Sequence, residues 1–363
     1  RGVSFWDYGN FIPGFPDAEW RNLSYINGCT FTVDEDFPQE AFTQQVFSEH
    51  ILLSQVRGIQ IGGCTFGDER SGDITTPFGY PAGFGIRSSG SGFSASECTF
   101  TNLVYGINAA NLSSLNNYSL RDCEFAGNFH AVHSTGVNNF TLKGNNFNVG
   151  GFTKQVSGIG NTANQVGVFI DHGTGFKVED NTFEGLGGGQ NIGLCAKNTN
   201  LNIVTDRVLG DNNTIFLNDF GGLDFGNLAN GTNQAGLMGL TYTCNTNGQS
   251  AGNEHDFTVA DGTVAVFQGD PINSVAAGNT FTLDAACQVP LRHIDNTDDA
   301  NFIVYTYSND QNEEPICFDA LRVSTVLGDG NDCTEGLGPI SEGPIRGKVI
   351  DETLTQVEQF GLL

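Results

Sequence analysis

The sequence predicts an all-β solenoid in which short strands coil into a parallel β-helix. A triplet that ends in Phe recurs along the chain, with Phe-to-Phe spacings of 35, 34, 25, 22, 36, 37 and 61 residues. Before each triplet, apolar and polar residues alternate with the period of a β-strand. Glycine supplies 49 of the 363 residues, which is about twice its usual share, and strong helix formers do not dominate.

Each repeat carries two aligned columns of residues. The Phe residues are Phe31, Phe66, Phe100, Phe125, Phe147, Phe183, Phe220 and Phe281. Two positions earlier stand Cys29, Cys64, Cys98, Cys123, Asn145, Asn181, Asn218 and Asn279. In a solenoid, equivalent residues lie about 4.8 Å apart. We therefore expect the Phe rings to stack in the core, the Asn amides to pass hydrogen bonds along the stack, and the Cys residues to fill the same buried place.

The period of 22 residues fits one coil with two short strands, a bend between them and a third strand at a recurring Gly-aliphatic step such as Gly106-Ile107. The longer periods are then coils with inserted surface loops. A last set of segments supports the same pattern: residues 239–245, 255–257, 267–269 and 276–281. Over about residues 20–285, the chain resembles the right-handed parallel β-helix, or pectin-lyase-like, superfamily. Within it, the chain is similar to secreted cell-surface proteins of the Bacteroidota type, which implies an extracellular or cell-surface location.

Three regions are predicted. Residues 1–285 form the β-helix, residues 286–345 form an acidic, loop-rich cap, and residues 346–363 start a helical segment. The chain begins at Arg1 without an initiator Met, so we expect a processed or partial segment of a longer protein.

The charge balance excludes several partners. Fifteen Lys and Arg against 41 Asp and Glu give a net charge of 15 − 41 = −26. Nucleic acid and anionic lipid are therefore unfavourable partners, because both are bound through clustered basic residues. No apolar run approaches the length of about 18 residues that a membrane span requires.

Two groups of residues are candidates for catalysis on a polysaccharide. Glu97 and Asp122 share one column on successive coils, and hydrolases use two carboxylates about 5–9.5 Å apart. Asp171 and His172 lie together one coil after His130 and His133, which is an acid–base combination. The alternative is that these are solvent-facing turn residues and surface histidines of a very acidic protein. The sequence lacks the clustered Asp pairs and the Gly-His-Gly step that are characteristic of the pectin hydrolases, and it has no obvious groove rich in Arg or Lys, which favours a non-catalytic protein.

A calcium ion is the single cofactor that the sequence suggests. Asp329, Asn331 and Asp332 offer hard oxygen ligands, although they match no complete calcium-binding motif and a solvated acidic loop is the preferred interpretation. Nine cysteines without a C-x-x-C pair leave an odd thiol. Cys317 and Cys333 lie in polar surroundings and are the predicted disulfide.

These observations favour a structural or adhesive segment of an extracellular or cell-surface protein, with a glycan or other surface or matrix proteins as partners. The alternative is a polysaccharide lyase or glycoside hydrolase that acts in the β-helix groove. A trimeric fibre of the phage tailspike kind is a third hypothesis, and the oligomeric state stays open.

Overall fold

Successive coils of the chain lie one above another, and strands one coil apart pair with each other. The computed structural model describes residues 3–6, 24–35, 49–70, 83–111, 117–154, 164–187, 190–200, 213–248, 251–283, 287, 290–299, 301–309, 312–331 and 333. Regular structure within these ranges consists of 32 β-strands.

The strands are, in chain order, β1 (Val3–Trp6), β2 (Ser24–Asn27), β3 (Thr30–Val33), β4 (Glu49–Ser54), β5 (Ile59–Gly62), β6 (Thr65–Asp68), β7 (Phe84–Ser89), β8 (Phe93–Ser96), β9 (Thr99–Thr101), β10 (Tyr105–Ala110), β11 (Tyr118–Arg121), β12 (Glu124–Ala126), β13 (His130–Thr135), β14 (Thr141–Lys143), β15 (Asn146–Val149), β16 (Gln165–Asp171), β17 (Lys177–Glu179), β18 (Thr182–Gly185), β19 (Asn191–Lys197), β20 (Asn213–Phe216), β21 (Asp219–Gly221), β22 (Phe225–Thr232), β23 (Gln234–Ala235), β24 (Met238–Thr243), β25 (Thr246–Asn247), β26 (His255–Thr263), β27 (Phe267–Gln268), β28 (Val275–Ala276), β29 (Arg292–Asn296), β30 (Ile303–Tyr307), β31 (Val323–Leu327) and β32 (Gly330–Asn331).

Three long sheets wind around one core. The ten-stranded sheet has the order β1-β4-β7-β10-β13-β16-β19-β22-β26-β29. The nine-stranded sheet has the order β2-β5-β8-β11-β14-β17-β20-β24-β23, and the eight-stranded sheet has the order β3-β6-β9-β12-β15-β18-β21-β25. Pairing is parallel throughout, apart from the short β23–β24 pair. This arrangement confirms the predicted all-β parallel β-helix.

The repeated Phe residues form one continuous stack inside the eight-stranded sheet. Phe66 pairs in register with Phe31 on one side and with Phe100 on the other. Ring centroids from Phe31 to Phe220 are 5.1, 4.8, 4.8, 4.9, 4.7 and 4.7 Å apart, with nearly parallel planes. A second stack runs from Phe93 through Tyr118 and Phe140 to Phe176 beneath the nine-stranded sheet. These rings fill the core at the spacing of the strands.

A ladder of buried Asn side chains runs beside the Phe stack at the bend before the eight-stranded sheet. Each Nδ2 donates to the Oδ1 of the next coil: from Asn145 to Asn181 (2.8 Å), then to Asn218 (2.9 Å), Asn245 (3.0 Å) and Asn279 (3.0 Å). Each Oδ1 also accepts the backbone N–H of the preceding coil, as at Asn145 N to Asn181 Oδ1 (2.9 Å). The last amide, from Asn279, donates to the Tyr305 hydroxyl at 3.1 Å. The ladder therefore pairs polar groups that burial would otherwise leave unsatisfied.

The Cys residues continue this column toward the N-terminus. Cys64, Cys98 and Cys123 are buried, whereas Cys29 is exposed. The Sγ atoms of the three buried residues donate to backbone oxygens two residues earlier, at 3.2–3.3 Å. The change from Asn to Cys occurs where the Cys123 N–H donates to Asn145 Oδ1 (3.0 Å).

The repeat pattern in the sequence did not include one coil, because Asn247 replaces its Phe. Asn245-Thr246-Asn247 lies between the copies at Phe220 and Phe281, and Asn247 is the in-register partner of Phe220. The spacing of 61 residues is therefore two coils. Asn245 keeps the ladder continuous although the Phe stack stops.

A segment around residues 317 and 318 covers the last strand of the ten-stranded sheet. β29, which lies within the region assigned to the cap, pairs with β26. Beyond it, the His293 N–H donates to the Cys317 carbonyl at 2.9 Å, and Ile294 forms an isolated bridge with Phe318. This segment shields the strand edge from further pairing.

The predicted Cys317–Cys333 disulfide is wrong. Cys317 bonds to Cys287, and Cys333 bonds to Cys244. Cys317 lies over the edge of the ten-stranded sheet, while Cys333 follows β32 and lies over Gly278 in the neighbouring coil. A Cβ at Gly278 would approach the Cys333 Sγ, so this glycine leaves room for the bond to reach Cys244.

Two other predictions fall partly outside the described residues. Asp332 of the suggested calcium site and the whole 346–363 segment are not described, so both stay predictions. Asn331 donates to Glu313 Oε1 at 2.5 Å, and its Oδ1 accepts the Cys333 N–H. Among the described residues, no group of three or more His, Cys, Asp or Glu side chains is arranged to hold a metal. The described part also contains no helix long and apolar enough to cross a membrane.

We predict that Asn181→Ala lowers the free energy of unfolding by about 3 kcal/mol, since buried groups left without partners cost about 1–3 kcal/mol each. Asn145 loses an acceptor and the Leu142 carbonyl loses a donor. The matched control is Asn146→Ala. The Asn146 side chain is exposed on the eight-stranded sheet, so its removal should change stability by less than about 0.5 kcal/mol. Urea denaturation measures both, and equal effects would contradict the role of the ladder.

Peptide mapping without reduction tests the disulfides directly. We expect cross-linked peptides that join Cys244 to Cys333 and Cys287 to Cys317. A peptide that joins Cys317 to Cys333 would show that the segments carrying these cysteines are stacked differently.

Candidate functional site

The outer face of the ten-stranded sheet carries three columns of side chains, most of them partly exposed, although Phe84, Val166, Ile192 and Cys195 are buried. In β10, Tyr105, Asn108 and Ala110 are partly exposed, whereas Ile107 and Ala109 are buried. The register repeats this arrangement from β4 to β29, so the residues aligned with Tyr105, Asn108 and Ala110 share the outer face. Inward residues are packed into the main core, which makes the face a rigid platform.

Four rings meet at the centre of this face, and we call them the aromatic–histidine cluster: Tyr105, His130, His133 and Phe169. The Tyr105 ring stands edge-on to both imidazoles, with centroids 5.5 Å from His130 and 5.3 Å from His133. Phe169 lies 5.7 Å from His130 and 4.8 Å from His133. All four side chains are partly exposed. The cluster therefore offers apolar ring surface with polar edges.

The two imidazoles are joined by a hydrogen bond between their Nδ1 atoms, 3.1 Å apart. The rings are nearly parallel, with centroids 5.3 Å apart, so their Nδ1 edges face each other. One Nδ1–H must donate to the lone pair of the other ring, which requires opposite tautomers. Burial lowers the pKa of His130 to about 3, helped by its neighbour His133, and burial lowers the pKa of His133 to about 4. Both rings are therefore neutral at physiological pH.

The predicted pair Asp171 and His172 lies at the end of β16, on the edge of the same face. His172 Nδ1 and Asp171 Oδ1 are 2.7 Å apart. Across the strands, Asp171 has Thr135 and Lys197 as its in-register partners. Cys195 lies beside Phe169 in register, but burial raises the pKa of its thiol to about 12. This thiol is therefore not a nucleophile at neutral pH.

The other predicted pair lies elsewhere. Glu97 and Asp122 are exposed at the bend between the nine-stranded and eight-stranded sheets, each with a positive φ (54° and 52°). Their backbone N–H groups donate to Arg121 O and Lys143 O of the following coils. Asp171 and His172 follow the ten-stranded sheet instead, so the structure does not bring the two predicted pairs into one site.

A wall borders the face where its strands begin. Residues 150–154 cross back over earlier coils, and the Lys154 ammonium donates to Asn102 O (2.8 Å) and to Asp68 O. Phe152 lies against Phe129 (5.8 Å), which stacks on His130 (4.6 Å). The wall ends in a shallow pocket that Asp68 and Lys154 help to line.

Asp68 pairs with both basic side chains of this wall, and Glu69 also lines the pocket, so two acidic and two basic side chains balance there. Its carboxylate accepts two hydrogen bonds from the Arg70 guanidinium (2.9 and 2.7 Å) and lies 3.4 Å from Lys154 Nζ. Burial opposes ionisation of Asp68, but the hydrogen bonds from Arg70 and the charge of Lys154 outweigh it and lower the pKa of that carboxyl.

Sequence reasoning missed most of this site. It found the Gly-aliphatic step but not the residue that precedes it, which is outward in every coil: Glu49, Phe84, Tyr105, His130, Val166, Ile192, Phe225, His255 and Arg292. An aromatic or His at five of these nine places was the available signal. This recurrence was not recognised in the sequence because long inserts separate the repeats.

Comparisons with known proteins add little. No protein-family model and no curated protein sequence matches the chain. A solved structure of a double mutant of the periplasmic alginate epimerase AlgG is similar at 13% sequence identity with a TM-score of 0.34, covering 78% of this chain and 73% of that one. A similarity this distant transfers neither activity nor substrate.

The histidine pair is expected to make the stability of the fold depend on pH. Because the pKa values of His130 and His133 in the folded state lie below the ordinary value of 6.5, their neutral forms stabilise the fold above pH about 6.5, and this contribution falls as the pH drops toward the folded-state values of about 4 and about 3. The double variant His130→Gln/His133→Gln should lose part of the acid destabilisation that the parent shows. Unfolding free energies measured across this window test it, and identical pH profiles would contradict the assignment.

Proposed function

We propose that this protein is a non-catalytic extracellular or cell-surface β-helix, a structural or adhesive segment, that binds glycans on the outer face of the ten-stranded sheet. The observation that carries the proposal is the partly exposed aromatic–histidine cluster on a rigid face. Sugar rings present C–H faces that pack on aromatic rings, while nearby polar groups fix their hydroxyls.

Polar side chains of the required kind flank the cluster. Asn108 is the in-register partner of His133, and Thr135 follows two residues later on the same outer face. Amide and hydroxyl groups both donate and accept hydrogen bonds, as sugar hydroxyls do. Since strands of adjacent coils are about 4.8 Å apart, an extended chain that crosses the strands meets a new set of side chains at each coil.

The disulfides support the proposed location. Cys244–Cys333 and Cys287–Cys317 are bonds typical of oxidising compartments. Surface or matrix proteins remain alternative partners, and a Bacteroidota-type cell-surface origin is proposed on the sequence resemblance alone.

One observation favours a second candidate function, cleavage of the bound glycan. If His172 Nδ1–H donates to Asp171 at 2.7 Å, Nε2 is left as a base that can take a proton from a sugar, as in other carboxylate–imidazole pairs. Depolymerisation assays on the parent and on Asp171→Asn separate the two functions. Product formation that this variant abolishes would replace the binding proposal with an enzymatic one.

We predict that Tyr105→Ala weakens glycan affinity by about fivefold to tenfold, because an aromatic contact is worth about 1 kcal/mol. Tyr25→Ala is the matched control, since Tyr25 is 63% exposed on the nine-stranded sheet. Affinity electrophoresis in gels that contain polysaccharides gives both values. Equal retardation of the two variants would contradict the proposed face.

A further inference from the structure

The outer face of the ten-stranded sheet is electrically balanced in a protein of net charge −26. From β4 to β29, its three columns contain three acidic side chains, Glu49, Asp171 and Asp295, and three basic ones, Arg87, Lys197 and Arg292. The excess negative charge of the described chain therefore lies on other surfaces.

Each charge on the face has an opposite neighbour. Arg87 Nη1 lies 3.8 Å from Glu49 Oε2, and Lys197 is the in-register partner of Asp171. Asp295 Oδ2 lies 3.2 Å from His255 Nδ1, and the carboxylate also feels the positive charge of Arg292.

The wall beside the face is balanced as well, because the acidic side chains Asp68 and Glu69 line its pocket together with the basic side chains Arg70 and Lys154. Arg70 and Lys154 both lie within ion-pair distance of the Asp68 carboxylate, at 2.7 and 3.4 Å. A ligand carboxylate would therefore have to displace a carboxylate of the protein to reach a cation here. Displacement repeats the cost of desolvating both charges without adding a new ion pair.

We propose that the glycan bound by this face is uncharged. The inference rests on the proposed function and narrows its ligand. The centre of the face is made of Tyr105, Phe169 and two neutral imidazoles, which suit the C–H and hydroxyl surface of a neutral sugar. A polyuronate or sulfated chain meets no cation at the face or its wall that lacks an acidic neighbour, acidic and basic side chains are equal in number in both places, and the rest of the protein repels the chain.

The test is affinity electrophoresis of the full chain in gels that contain either a neutral β-glucan or polygalacturonate, at low and high salt. We expect retardation by the neutral polymer alone, unchanged by salt, since screening weakens only interactions between charges. Lys197→Gln should keep this retardation within about twofold.

A gain-of-function variant makes the test sharper. Glu49→Gln removes the partner of Arg87, so it should create salt-sensitive retardation by polygalacturonate, by at least about threefold over the parent, and leave retardation by the neutral polymer unchanged. If Glu49→Gln shows no such retardation by polygalacturonate, the ion pairs on the face do not determine the charge of the ligand.

Two outcomes overturn the inference. Preferential retardation of the parent by polygalacturonate, lost in Lys197→Gln or at high salt, would show a charged ligand and leave glycan binding as the function. Retardation by neither polymer nor by other neutral glycans would remove the inference together with the proposed function.

Discussion

The structure depends on one constraint, which is that each coil must lie in register on the coil before it. Strand pairing alone does not impose this register, because a slip by two residues keeps the alternation of inward and outward side chains. The buried columns impose it. A shifted coil would place an Asn amide against Phe rings and leave its hydrogen-bonding groups unsatisfied, at a cost of about 1–3 kcal/mol each. The ladder from Asn145 to Asn279 and the adjacent Phe stack therefore specify the register together.

Register also builds the candidate site. Tyr105, His133 and Phe169 come from three coils with very different inserts between them, yet they meet because their strands are aligned by the core beneath. The face therefore needs no loop to position its rings. Residues 150–154 add a wall by crossing earlier coils, and Lys154 holds that wall through carbonyl oxygens and Asp68.

Sequence patterns predicted the fold because each coil repeats the same buried residues, and these repeats survive inserts of any length. The coil at Asn245 was missed because Asn247 replaces the Phe that defined the repeat. The disulfides were assigned wrongly because Cys333 bonds over Gly278 to a residue two coils away, a proximity that only stacking creates. The aromatic–histidine cluster was mostly missed for the same reason, since Tyr105 and Phe169 are 64 residues apart in the chain (169 − 105).

The most direct test of this account is hydroxyl-radical footprinting of the protein with and without a saturating neutral polysaccharide. The account predicts that oxidation of Tyr105 and Phe169 decreases when the glycan is bound. Oxidation of Tyr25, which is exposed on a different sheet, should stay the same. Protection at Tyr25 without protection at Tyr105 and Phe169 would place the ligand on another face and contradict the central claim.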